Sequence, residues 1–351
     1  MKLEFNVKFG FKVPFYPLEL IFESASYAEN HGCDSIWTAD HIVGISVRKW
    51  DCFSSWCILS SLAIKSKKAL LGPSVTDACR IHPSILAHKA MTIHNLSRGR
   101  FILGIGAGEA QNTKPYGIKC SKPVERLKEA VEIVRKLLSG DEVSYKGRHF
   151  KLKKALISPC VKNKSIPIWI GANSPKTISL TGKIGDGWLP IALIFPPKEY
   201  EKALSKIKNE AVLAGRGKDD VEPALFLHIA LAKEHDKAAE MVKEPGKLLL
   251  LMWVPEVFPE IKDSLKNFHA LRLEFNLDTA KRLEYVLKIL PVEPVYERIV
   301  FGSPDECIEG IEKYLKVGVK HIVASILSPP TLLMNALKLY TEKVIPYFKG
   351  L

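Results

Sequence analysis

The sequence predicts an α/β chain closed as a (β/α)8 TIM barrel, with insertions after strand four and before the last strand. Two observations predict it. Strand-patterned and helix-patterned segments alternate almost throughout, the signature of parallel βαβ units. The chemically unusual residues fall directly after successive strands: Asp40 and His41 after the second, Ser74 to Asp77 after the third, Glu109 after the fourth, Gly171 to Ser174 after the fifth. A barrel gathers its strand ends in that way on one face. An open doubly wound sheet is the alternative, and it would collect ligand residues at one switch point.

Residues 3–9 alternate as a first strand and lead into Gly10-Phe11-Lys12. A helix over 18–31 carries Leu18, Ile21, Ala25 and Ala28 on one stripe, and Gly32 suits its stop. Residues 34–38 form the second strand, about 53–64 a helix, and 69–74 the third strand. Pro83 fits the first turn of a helix. Residues 101–103 are an apolar, buried fourth strand. In the helix over 124–138, Val124, Leu127, Val131, Val134 and Leu138 recur at helical spacing, and Gly140 closes it. Residues 142–154 read as a hairpin turning at Lys146-Gly147. Further strands are expected at 167–171, 187–190 and 224–232, with helices over 177–183 and about 198–213. Residues 233–295 read as a loosely patterned, insertion-like helical region. Ser303-Pro304-Asp305-Glu306 is a capping box; Gly318 ends its helix, 321–325 is the last strand, and a terminal helix follows. A single domain over 1–351 is expected.

Hydrophobic content of 47% with 25% charged residues is enough for a full core. The apolar runs are too short to span a bilayer, and the N-terminus lacks a signal-peptide core, so a cytoplasmic protein without a membrane partner is expected. Seven cysteines at 33, 52, 57, 79, 120, 160 and 307, with no Cys-x-x-Cys, argue against a disulfide framework and a structural zinc site. His82, His88 and His94 do not share a helical face, and no metal is expected. The net charge of +13 comes from dispersed lysines without a basic arm. That excludes a nucleic-acid reading and leaves a solvated surface attractive to an anionic cofactor or substrate.

The stretch richest in chemistry is Gly104-x-Gly106-x-Gly108-Glu109, with Gln111 and Asn112 behind it. It is neither the Gly-x-Gly-x-x-Gly dinucleotide fingerprint nor a phosphate loop. Alternate glycines clear one face for a flat ligand and permit positive φ; a plain tight turn is the other reading.

These residues carry a resemblance. Gly10-Phe11-Lys12, Ala39-Asp40-His41, Pro73-Ser74-Val75-Thr76, Arg80-Ile81-His82-Pro83, Ser97-Arg98-Gly99-Arg100, the glycine stretch, Gly185-Asp186-Gly187 and Gly302 to Glu306 together resemble the luciferase-like superfamily. The nearest branch is its coenzyme F420-dependent alcohol and glucose-6-phosphate dehydrogenases. The resemblance implies hydride transfer between the deazaflavin and a small organic substrate, an alcohol/ketone pair. It implies His41 as the substrate's base and Glu109 beside the ring nitrogen. Asp40 would touch the ring or orient His41. Ser74-Val75 would be a non-proline cis peptide behind the ring, with Thr76 beside it. Gly106, Ala107, Gly108 and Asn112 would line the cofactor. Gly171, Ala172, Asn173 and Ser174 would bind its phosphate through backbone amides, unless they form a plain N-cap. The tryptophan that such dehydrogenases carry four residues after the histidine is Ile45 here, with Trp50 as its replacement. A homodimer is implied as well. No lysines match a sugar-phosphate grip, which disfavours glucose 6-phosphate. The alternatives are an FMN monooxygenase, a methylenetetrahydromethanopterin reductase and a non-catalytic flavin-binding protein. The reductase ranks lower because that branch has a glutamate at the end of strand one, where this chain has Lys12. Trp50, Phe53, Trp56, Phe195 and Trp253 are either pocket lining or plain core.

Overall fold

The computed structural model describes residues 6–44, 51–158, 165–259 and 266–350. Eight parallel strands form the barrel: β1 (Lys8–Lys12), β2 (Ser35–Thr38), β3 (Leu70–Pro73), β4 (Leu103–Gly106), β5 (Ile168–Gly171), β6 (Gly187–Trp188), β7 (Glu222–Leu231) and β8 (His321–Ile326). The order is β3-β2-β1-β8-β7-β6-β5-β4; the two-residue strand Thr76–Asp77, just after β3, pairs β4, and Val300–Gly302 pairs β7 off this path. The ring closes between β3 and β4 through a parallel bridge from Leu71 to Phe101, where Leu71 N–H donates to the Arg100 carbonyl at 2.8 Å.

The first strand begins later than the alternation at 3–9 suggests, and residues 1–5 lie outside the described set. Phe9, Gly10 and Phe11 are all buried, because a barrel strand is covered on both faces and shows no polar alternation. The barrel interior is closed below by Trp37 and Trp169, whose rings are 5.3 Å apart, with His321 edge-on to both. Ser35 Oγ accepts from Trp37 Nε1 and bonds His321 Nε2, each at 2.7 Å. A side chain at Gly10 would run into Ser35 Oγ, which is why β1 carries glycine there.

The outer helices are α1 (Leu18–Asn30), α2 (Ser55–Lys65), α3 (Pro83–Leu96), α4 (Pro123–Leu138), α5 (Pro175–Ile184), α6 (Pro197–Leu213), α7 (His235–Trp253), α8 (Leu277–Ile289), α9 (Glu293–Arg298), α10 (Pro304–Leu315) and α11 (Pro330–Leu339). The insertion after β4 holds two short 3-10 turns, α4 and the hairpin Val143–Lys146/Lys151–Ala155. The insertion before β8 holds α7 to α9, while α10 packs on the barrel core through Cys307, Ile308 and Ile311. The insertion has its own apolar cluster, with Leu250, Leu251, Phe258, Phe268, Leu283 and Val295 buried together. Helix α7 runs through Pro245, which removes a backbone donor and blurs the periodic pattern. The capping box opens α10: Ser303 Oγ accepts from Glu306 N–H, and Glu306 accepts from Ser303 N–H at 2.7 Å.

Candidate active site

The C-terminal ends of the strands open into a cavity of about 1860 Å³. All the strand ends that the sequence marks contribute to its wall. Asp40, His41, Ser74, Val75, Thr76, Gly106, Ala107, Gly108, Glu109, Asn112, Gly171, Asn173 and Ser174 all line it. Trp50 lies outside the described residues, as does Ile45. Ala172 is fully buried, does not reach the cavity, and offers its carbonyl to Trp188 Nε1 at 3.0 Å.

The Ser74–Val75 peptide is cis. Val75 projects onto β4 and β5: a Cβ at Gly106 or at Gly171 would stand 2.9 Å from Val75 Cγ2. Gly104 is needed because a Cβ there would collide with the Pro73 carbonyl. Gly104 and Gly106 leave room for the protein's own Pro73 carbonyl and Val75 side chain, and Gly106 also faces the cavity. Only Gly108 belongs to the loop, at φ 97°, a conformation that favours glycine.

Behind Gly108 the chain turns through Ala110–Asn112 and brings three side chains to His41. Gln111 Nε2 donates to Glu109 Oε2 at 2.6 Å and lies 3.0 Å from His41 Nδ1. Asn112 Nδ2 lies 3.3 Å from the same nitrogen, and Asn112 Oδ1 accepts from Ile42 N–H at 3.2 Å. His41 Nδ1 and Glu109 Oε2 are 3.8 Å apart. With amide donors on Nδ1, a neutral His41 carries its proton on Nε2. Phe15 meets the imidazole edge-on at 5.8 Å between centroids.

The Asp40 carboxylate has partners other than His41. Its Oδ2 accepts from Thr76 Oγ1 at 2.6 Å and from Arg80 Nη2 at 3.0 Å, and Arg80 Nη2 also reaches the Asp40 carbonyl at 2.7 Å. Arg80 Nε is paired with Asp77 as well. Burial works against the Arg80 charge, but Asp40 and Asp77 outweigh it and hold the guanidinium protonated. The ion network therefore ties the end of β2 to the segment after β3.

At the end of β5 the Ser174 N–H is used internally. It donates to Thr177 Oγ1 at 3.0 Å in a capping box that starts α5, and Asn173 Oδ1 accepts from Ile191 N–H at 3.1 Å. The Ser174 amide is thus committed to the helix cap, in keeping with the N-cap alternative. Among the aromatic candidates in the described residues, Trp253 lines the cavity, while Trp56 and Phe195 are core and Phe53 is exposed. Cys79 and Cys120, 41 residues apart, come together with their Cα atoms 5.5 Å apart. No local spacing announces it. Sequence reasoning gave no role to Gln111, Arg80, Lys12, His228 or Ser325. Arg80 three residues after Asp77 and Gln111 two after Glu109 are the available signals.

At the mouth of the barrel an imidazole, a carboxamide and a carboxylate are thus hydrogen-bonded in series. The chain belongs to the luciferase-like monooxygenase family, whose model matches residues 14–321. It is 32% identical to the 5,10-methylenetetrahydromethanopterin reductase of Archaeoglobus fulgidus, over 99% of this chain and 100% of that one. It is 30% identical to the phthiodiolone/phenolphthiodiolone dimycocerosates ketoreductase of Mycobacterium tuberculosis, over 91% of this chain and 90% of that one. The solved structure of the coenzyme F420 dependent tetrahydromethanopterin reductase from Methanopyrus kandleri superposes with a TM-score of 0.79 at 26% identity, covering 98% of this chain and 99% of that one.

Proposed function

We propose that the protein transfers a hydride between coenzyme F420 and the carbon of an alcohol/ketone pair. Its place among F420-dependent oxidoreductases comes from the relatives, and the ketoreductase among them favours a carbonyl substrate. The observation that carries the reading is the Glu109–Gln111–His41 series at the cavity wall. The cavity is larger than the roughly 300–1,000 Å³ of an ordinary ligand site, so a three-ring cofactor and a second molecule fit together. Val75, Gly106, Gly108, Glu109 and Asn173 would hold the cofactor. Bound there, coenzyme F420 supplies or accepts the hydride at a ring carbon.

The chain's own residues manage the protons. The His41 Nε2 proton is the one available to a carbonyl oxygen as the carbon is reduced, and the same nitrogen takes the proton back in alcohol oxidation. Gln111 fixes that tautomer, because one amide proton is spent on Glu109 and the other on His41 Nδ1. Glu109, on the same wall, would exchange a proton with the cofactor ring.

The test is to mix the protein with reduced F420 and a series of ketones and follow the return of the oxidised deazaflavin band. Turnover that collapses in His41→Ala supports the reading. A second reading, reduction of a methylene-pterin, is favoured by the 32% identity to the Archaeoglobus enzyme. Turnover of methylenetetrahydromethanopterin with inert ketones selects it. A homodimer is part of the same proposal, and a monomer mass by light scattering at micromolar concentration removes it.

A further inference from the structure

Across the barrel from Glu109 lies a second polar group of residues. In the eight-membered ring β8 is four strands from β4, and so opposite it. His228 on β7 and Ser325 on β8 are register partners. Lys12 on β1 comes one step beyond the Phe11–Ala324 pair and stands at the level of Ser325. Three adjacent strands thus present Lys12, Ser325 and His228 side by side at the cavity floor, and all three line it.

These groups are expensive to keep there. Lys12 is 9% exposed, His228 and Ser325 7% each. Lys12 Nζ rests over the Phe15 ring at 3.8 Å, and among the described residues no carboxylate pairs with it. His228 Nδ1 is buried with no hydrogen-bond partner among the described residues. A packed core disfavours an unpaired ammonium and an orphaned ring nitrogen, whereas a ligand that completes them explains both. Such a ligand is negatively charged at this end and has acceptor atoms for several donors.

We propose that Lys12, His228 and Ser325 form an anion subsite that takes the carboxylate of the substrate, so that the reducible carbonyl belongs to a keto acid. This rests on the hydride-transfer reading and extends it to a substrate class. The carboxylate binds on the β7–β8–β1 wall, and the carbonyl reaches toward His41 at the neighbouring end of β2.

The experiment is a calorimetric titration of the protein in complex with oxidised F420. The probes are straight-chain keto acids of three to six carbons, each compared with its methyl ester. At least one acid should bind about 10- to 100-fold more tightly than its ester, the span of a buried charge-assisted contact. The difference should vanish in Lys12→Met and shrink several-fold in Ser325→Ala, which keeps the proposal testable if the first variant folds poorly. Equal binding of every acid and ester, or a preference that survives Lys12→Met, overturns the subsite. A Lys12-dependent preference without turnover by reduced F420 leaves the subsite standing and sinks the hydride-transfer reading. Turnover of neutral ketones with no acid preference does the reverse. If F420 itself does not bind, the same titration on the free protein judges the subsite alone.

Discussion

His41 Nδ1 and Glu109 Oε2 stand 3.8 Å apart with the Gln111 amide bonded to both. In the proposed reaction Gln111 is a positioning residue. Gln111→Leu keeps the bulk and removes both donors. Turnover should fall about 10- to 100-fold, as expected when a histidine loses its fixed tautomer, while KM for a ketone stays within a few-fold. The pH profile of kcat/KM should move as well, which a merely structural role does not require. An unchanged profile would separate Gln111 from the proton path.

His41 and Glu109 should respond differently to removal. His41→Ala should leave F420 binding nearly intact and lower turnover by about 10²–10⁴-fold, the usual span for a lost general acid–base. Added imidazole should restore part of it. Glu109→Gln keeps the shape but has no proton to exchange, so it should slow hydride transfer and resist rescue. Near-normal turnover in both variants would make these residues scaffold.

Val75 and Gly106 are coupled through space, so their effects on stability should not add. Gly106→Ala places a Cβ 2.9 Å from Val75 Cγ2 and should cost about 1–3 kcal/mol by overpacking. In the double variant with Val75→Ala the opposing methyl groups are gone, and part of that loss should return. Denaturant midpoints of the four proteins measure the coupling. Strict additivity would show that the contact is not what excludes a side chain at 106.

Lys12 should be a source of instability at neutral pH. Burial brings its ammonium from the ordinary 10.5 down to about 8, against a smaller opposing effect of Cys52. Below pH 8 the lysine is charged in both folded and unfolded chains, and the burial penalty is present in full. Between about 8 and 10.5 the unfolded chain binds more protons, so the penalty fades as pH rises. Lys12→Met keeps the apolar stem and should raise stability at pH 7 by at most ~3 kcal/mol, with the gain shrinking through that window. A gain that is absent at pH 7, or constant to pH 10.5, would contradict a buried unpaired charge.

Much of this was legible in the chain. The alternation of elements gave the barrel, and Gly32, Gly140 and Gly318 mark turns at φ 99°, 87° and 100°. The residues after the strands do meet at one mouth. What local pattern does not hold is which partners meet across the ring. Asp40 is next to His41 in sequence, yet it bonds Arg80 and Thr76. The glycines of β4 answer Val75, which lies some thirty residues earlier. Lys12, His228 and Ser325 share a level only because β1, β7 and β8 are neighbours in the closed sheet. Pro245 hid a helix of 19 residues in the insertion.

The central claim is the deazaflavin cofactor, and a competitive binding measurement tests it most directly. Oxidised F420 and FMN are titrated separately into the same preparation at two salt concentrations. F420 should bind more tightly than FMN, and its affinity should fall with added salt because its anionic tail meets a chain of net charge +13. Equal or tighter binding of FMN would contradict the assignment.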